Sequence, residues 1–228
     1  MNTAFAERPL FVASYTDANG RQFLPLSQAE HDRRVWFYRR IVDTFNLPAR
    51  QVVLIISDYN DHALTIPLQT QLHADSHIPC YAESTIFDAR RTENFLRRLD
   101  MQFVVGINTP VLDGLEAAGF KPLELFANRI VFARDEAAYQ RLSANSSITL
   151  RRWMEIGPAI GMECRHGGGL HIDANEWDVE FNNGEVVLSS RLATYVDFDK
   201  VHTGFYGSAV TELCDCGRDG LRIIPRKP

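Results

Sequence analysis

The sequence predicts an α/β fold, a mostly parallel sheet flanked by helices and followed by a small β-rich subdomain, and three observations predict it. From about residue 9 to 157, short apolar runs alternate with segments of helical periodicity, the pattern that places helices on both faces of a parallel sheet. After Gly157 glycines multiply, helical periodicity disappears, and short strand-like runs are separated by turn signals. Three of the four cysteines, Cys164, Cys214 and Cys216, fall in that last stretch.

The elements follow in order. PLFVAS (9–14) reads as a strand, followed by the polar turn YTDANG and a second short strand near Gln22–Leu26. Ser27 and Glu30 form a capping box, S-x-x-E, ahead of a helix. Its expected buried stripe is Val35, Tyr38, Ile41, Val42 and Phe45, and Arg33, Arg34, Arg39 and Arg40 read as its wet face. QVVLIIS (51–57) suits a central strand. A helix at about Ala63–Ala74, the strand IPCYA, a helix over 88–99 and the strand FVVGI (103–107) come next. Pro110–Ala118 is a helix ended by Gly119; the apolar runs LELFA and RIVFA and a helix near Glu136–Leu142 complete this part. Beyond it, DVEF, EVVLSS and LRII are short strands, and NNG (182–184) signals a hairpin between the first two. The expected units are 1–157, the α/β core, and 158–228, the β-rich subdomain.

Composition narrows the function. Hydrophobic residues make up 45% and charged residues 23% of 228, with a net charge of −5, ordinary for a globular domain. The acidic balance argues against nucleic acid, because counterion release needs clustered Lys and Arg. No apolar run approaches the ~20 residues of a membrane span. MNTAFAERPLF lacks a basic start followed by an apolar block, so no signal peptide is expected and a cytoplasmic chain is. Cysteines there stay reduced, and their grouping points to metal rather than disulfides. Cys214-Asp215-Cys216-Gly217 can chelate one ion, and Cys164 and His171 flank a glycine-rich loop long enough to bring both side chains together. Three thiolates and an imidazole suit tetrahedral zinc in a structural role, with His166 as the alternative fourth ligand. Cys80, in an apolar strand, reads as a small core residue.

The C-terminal third carries a further pattern: EIGPAIGMECRHGGGLHI, VEF, NGEVVLSS, VHTGFYG and CDCGRDGLRI, in that order. It resembles phenylacetate-CoA ligase and its relatives in the adenylate-forming acyl-CoA synthetase superfamily, which have Glu-Cys, Leu-His, Thr-Gly-Asp and Cys-x-Cys-Gly-Arg motifs in the same order. A weaker match covers residues 12–135. The resemblance implies the large domain of such a ligase and marks His171 as the fourth metal ligand. It also implies where the nucleotide chemistry would lie. The phosphate-wrapping loop corresponds to Ser14–Arg21, where Asp17 at 4–6 Å from a phosphate would cost ~3–4 kcal/mol at an effective dielectric near 20. The plain reading of this stretch is a polar hairpin turn. The nucleotide and Mg²⁺ motif corresponds to Arg152-Trp153-Met154-Glu155, keeping the carboxylate of Glu155, the candidate catalytic residue, and replacing the hydroxyl by Met154. The ribose-holding acid is replaced by Phe205 after Thr203-Gly204.

ATP and Mg²⁺ are therefore not expected to bind well. The family's catalytic lysine lies in a small domain beyond the point where this chain stops, so the full ligase reaction is not expected of this chain alone. The expected function is a degenerate ligase-like protein that binds a small carboxylic acid, an acyl thioester, an acyl-carrier arm or a protein partner. An enzyme with a reduced task, such as acyl transfer, and one half of a split ligase are the alternatives. Crevices at strand C-termini bind ligands in open α/β sheets. Loops 58–62, 83–88 and 108–111 are thus the expected cleft, with Asn60 and His62 as polar contacts and Trp153 and Phe205 as an apolar lining.

Overall fold

The structure, a computed structural model, describes residues 8–218 and 220–227 and leaves out the side chain of Tyr59. Most of the N-terminal stretch read for a signal lies outside the described residues. Strands β1 (Phe11–Asp17) and β2 (Gly20–Leu26) form an antiparallel hairpin, with Asp17 opposite Gly20. The polar turn expected over six residues is only Ala18-Asn19, because the strands pair almost to their ends.

Helix α1 (Gln28–Val42) begins at the expected capping box: the Glu30 backbone N–H donates to Ser27 Oγ, and Glu30 accepts from the Ser27 backbone N–H. Tyr38, Ile41, Val42 and Phe45 are buried as the stripe predicts, whereas Val35 is only half-buried. Arg34 is a correction. It is 3% exposed, and its guanidinium donates to the carbonyls of Ala63 and Pro158. Helical phase alone put it with its wet neighbours, but the chain returning at Pro158 covers that face.

The following elements alternate as expected: β3 (Val52–Ser57), α2 (His62–Ala74), β4 (Ile78–Glu83), α3 (Ala89–Arg98), β5 (Phe103–Ile107) and α4 (Thr109–Ala117). A one-turn helix α5 (Pro122–Leu125), strand β6 (Ile130–Ala133) and α6 (Glu136–Leu142) complete this part. Pro122 at the first helical position makes LELFA start as a helix rather than a strand. The near-continuous apolar run of β3 has a direct cause: its two faces go to different cores. Val53 and Ile55 pack with Phe103, Val105, Phe132 and the apolar faces of α1 and α2. Leu54 and Ile56 pack with Val104, Ile107, Val131 and residues of α3, α4 and α6. A strand buried on both faces cannot show polar alternation. Gly106 sits where β5 slips register, at φ +98°, and a Cβ there would meet the Ile56 carbonyl oxygen at 2.0 Å; only glycine fits.

Strand β7 (Thr149–Ile156) joins the two textures. It pairs in parallel with β6 and antiparallel with β8 (Ala159–Met162). The remaining strands are β9 (Leu170–His171), β10 (Trp177–Asn182), β11 (Glu185–Ser190), β12 (Val201–Val210) and β13 (Arg222–Pro225). Together they make an eleven-stranded sheet among the described residues, in the order β10-β11-β12-β13-β9-β8-β7-β6-β5-β3-β4. The change of texture near 157 is thus the β7–β8 turn, where the sheet switches from parallel to antiparallel while its hydrogen bonding continues. The β10–β11 connection has positive φ at Asn183 (51°) and Gly184 (89°), the type I′ geometry that the NNG signal predicts. No described helix is long and apolar enough to cross a membrane.

Candidate functional site: a cysteine–histidine centre and a crevice at the strand ends

The metal cluster predicted from sequence is assembled. Cys164 leaves β8, His171 ends β9, and Cys214 and Cys216 sit in the connection between β12 and β13. Their ligand atoms all lie within 4.8 Å of one another. Cys164 Sγ is 3.6 Å from Cys214 Sγ, and Cys216 Sγ is 3.6 Å from His171 Nε2. A tetrahedral ion with ~2.3 Å bonds to sulfur and ~2.0 Å to nitrogen would set such separations at about 3.8 and 3.5 Å. The donor set therefore fits a metal ion, and the residues that would hold it are Cys164, His171, Cys214 and Cys216; His166 lies outside the cluster.

The local backbone explains the convergence. The Gly217 N–H donates to the Cys214 carbonyl, closing a tight turn, and Gly217 has φ +78°. Glu163, the residue before the first ligand, is buried and receives the Arg152 backbone N–H at 2.8 Å, which fixes β8 against β7. Burial, then the charges of Arg218, Arg222 and Arg40, hold His171 down to about 4, so its imidazole is neutral and keeps a lone pair. Burial pushes the Cys164 thiol up to about 12. A bound cation opposes that shift, because thiolate is the form that coordinates.

The second feature lies at the C-terminal ends of the parallel strands, in two cavities. One, of about 770 Å³, is lined among others by Arg134, Glu136, Met154, Glu155, Phe205 and Tyr206. The other, of about 490 Å³, is lined by residues including Ser57, His62, Tyr81, Glu83, Thr85 and Arg91. Two of the three segments that the resemblance assigns to nucleotide chemistry line the larger one, and the third, the hairpin, is hydrogen-bonded to them. The Thr16 N–H donates to Glu155 Oε1 at 2.7 Å, and the Ala18 N–H donates to the His202 carbonyl at 3.0 Å. The hairpin tip therefore rests on Glu155 and on the strand carrying Thr203-Gly204-Phe205. Asp17 is committed to the turn, accepting from the Asn19 N–H at 2.8 Å.

Glu155 is raised above the ordinary carboxylate range, chiefly by burial, which outweighs the Thr16 N–H and the Arg134 charge. Arg134, invisible to motif reading, is the hub here. It is ion-paired to buried Asp61 and lies over the Trp153 ring, 5.3 Å from its centroid. Its position directly after β6, at a parallel strand's C-terminal end, is the signal that could have marked it.

The other sequence-derived candidates divide. His62 begins α2 and lines the smaller cavity, and Phe205 lines the larger. Asn60 is exposed and lines neither; its backbone N–H is held by Asp58 Oδ1 at 2.7 Å, in a capping box with Asp61. Trp153 is a correction. It has no exposed surface, packs with Tyr38, Phe132 and Met162, and donates its indole N–H to the Tyr38 hydroxyl at 2.9 Å. Successive strand residues alternate faces, and its position in β7 sends Trp153 to the α1–α2 face, away from any ligand. Of the loops expected to form the cleft, 58–62 and 83–88 contribute, while Asn108 instead caps α4 and ties it to the Ser84 carbonyl.

No protein-family model and no curated protein sequence matches the chain. Solved structures do. The 2-hydroxyisobutyryl-CoA ligase in its postadenylation state with 2-HIB-AMP aligns with a TM-score of 0.71 at 10% identity, over 97% of this chain and 52% of that one. A malonyl-CoA ligase with methylmalonyl-CoA and AMP bound gives 0.59 at 12% identity, over 100% and 55%. The N-terminal subdomain of Klebsiella oxytoca NpsA gives 0.55 at 9% identity, over 97% and 59%. The fold is thus that of the acyl-CoA and adenylate-forming ligases. More particularly, the chain corresponds to about half the length of the CoA ligases it matches.

Proposed function

We propose that this chain is a ligand-binding derivative of the acyl-CoA ligase fold that does not complete adenylation by itself. It takes a small carboxylic acid, an acyl thioester or the arm of an acyl carrier at the ends of the parallel strands. One observation carries the reading: the crevice is open, at about 770 Å³, while its wall presents Met154 and Phe205 where the resemblance calls for a hydroxyl and an acid. An open cavity of this size suits a small organic ligand. Phe205 offers a ribose no acceptor, and Asp17 repels a triphosphate. In this reading Glu155 is a latch for the hairpin, and His62 supplies a polar contact in the adjoining cavity. The metal at Cys164, His171, Cys214 and Cys216 is zinc, pinning the antiparallel end of the sheet. As a pinned structural site it supplies no chemistry to the crevice.

Titration calorimetry with Mg-ATP tests the reading, together with thermal-shift measurements across carboxylates and CoA thioesters. No micromolar nucleotide binding and a ligand-dependent rise in Tm are expected. A micromolar dissociation constant for Mg-ATP in the crevice would overturn it and favour one half of a split ligase.

A further inference from the structure

Beside the metal centre lies a third cavity, of about 210 Å³, whose lining includes Phe37, Arg40, His171, Asp173, Arg191 and Arg218. It shares no lining residue with either crevice cavity. We propose that this cavity binds a phosphate group, held between the guanidinium groups of Arg40 and Arg218.

Three observations converge. First, donors are unmet: among the described residues the Arg40 side chain makes no hydrogen bond or ion pair, and Arg218 Nη2 is a buried donor with no acceptor. A buried, unmet guanidinium N–H is rare in a native protein and points to an absent water or ion. Second, the neighbouring charged groups are already committed. Arg191 is satisfied by Asp178 and the Ala174 carbonyl, the Asp173 carboxylate caps its own turn through the Asn175 N–H at 3.1 Å, and the cysteine sulfurs belong to the metal cluster. Third, the cavity is too small for a whole cofactor, so it takes a compact ion or the end of a larger molecule. A phosphate carries about −1.5 to −2 at neutral pH and suits the planar fork of arginine better than a monoanion does.

The test is calorimetric titration of the zinc-loaded full chain with inorganic phosphate and, separately, with a nucleoside monophosphate, at constant ionic strength set by chloride. Saturable phosphate binding is expected. Arg40→Gln and Arg218→Gln should each weaken it about tenfold or more, as loss of one charge-assisted contact implies. Arg39→Gln, on the same helix but paired with Asp75, should leave it unchanged. Tighter binding of the monophosphate would identify the phosphate as one end of a larger ligand; equal binding would identify a free ion. Zinc content measured on each variant separates damage to the metal centre from loss of the anion, and Arg40, remote in sequence from the ligands, decides if Arg218→Gln loses metal. Absence of saturable phosphate binding, or binding unchanged in Arg40→Gln, overturns the proposal. The same variant separates the two readings: Mg-ATP binding that survives Arg40→Gln belongs to the crevice and counts against the proposed function, and binding lost with it belongs here.

Discussion

The two ends of the sheet are built on opposite plans. At the antiparallel end, four ligands from two short stretches, 164–171 and 214–216, converge on one point. At the parallel end, the crevice draws on the β1–β2 hairpin, the strand ends of β3, β4 and β6, and the distant residues Glu155 and Phe205. The first site is local in sequence and dominated by one interaction. The second is spread over nearly the whole chain and held by many weak ones. The contrast teaches that a chelating cluster can be set by two short stretches of chain, whereas a crevice at the strand ends is assembled from segments far apart in sequence.

The largest effect should come from the metal. Cys214→Ser, or chelation, should abolish stoichiometric zinc and destabilise the region after residue 160 far more than the parallel strands. Structural zinc sites contribute on the order of 10 kcal/mol to the folding of small domains. Elemental analysis with hydrogen exchange reports both, and uniform loss of protection would break the contrast.

Next comes the hub of the crevice. Asp61→Asn leaves Arg134 buried without its counter-charge and should cost about 3–5 kcal/mol in denaturant unfolding. Replacing both partners by apolar residues should recover much of that loss. A smaller loss is expected at Trp153. Tyr38→Phe strands the indole N–H in the core and should cost about 1–3 kcal/mol, with ligand thermal shifts unchanged, because Trp153 is core rather than lining.

The smallest effect concerns pH. Glu155 is raised in the folded state, first by burial, so the native protein holds its proton more tightly than the unfolded chain does. Its contribution is fully present below the ordinary glutamate value and is lost as pH rises through the raised one. Glu155→Gln should flatten stability across that window, measured by Tm against pH. An unchanged slope would show that the hairpin latch does not depend on this carboxyl.

Much of this was legible beforehand for identifiable reasons. The capping box at Ser27 and Glu30, the NNG turn and the doubly buried β3 each encode their geometry within a few residues, and cysteine spacing encodes the metal cluster. Other features were hidden because they depend on what arrives from elsewhere. Arg34 is dry only because Pro158 returns over it, and the exposed position of Asn60 follows from the turn that Asp58 and Asp61 close. Phe205 and Glu155 share a cavity although strands β8 to β11 and their connections lie between them in the chain.

The sequence by itself determined the alternation of strands and helices, the change of texture after Gly157 and the grouping of Cys164, Cys214 and Cys216, leaving His171 or His166 open, because periodicity, turn chemistry and chelating pairs act over short stretches of chain. Only the tertiary structure decided that Trp153 belongs to the core, that Arg134 anchors the crevice, and that Arg40 and Arg218 line one cavity. Burial and charge pairing are sums over neighbours drawn from the whole chain, and no local pattern carries that sum.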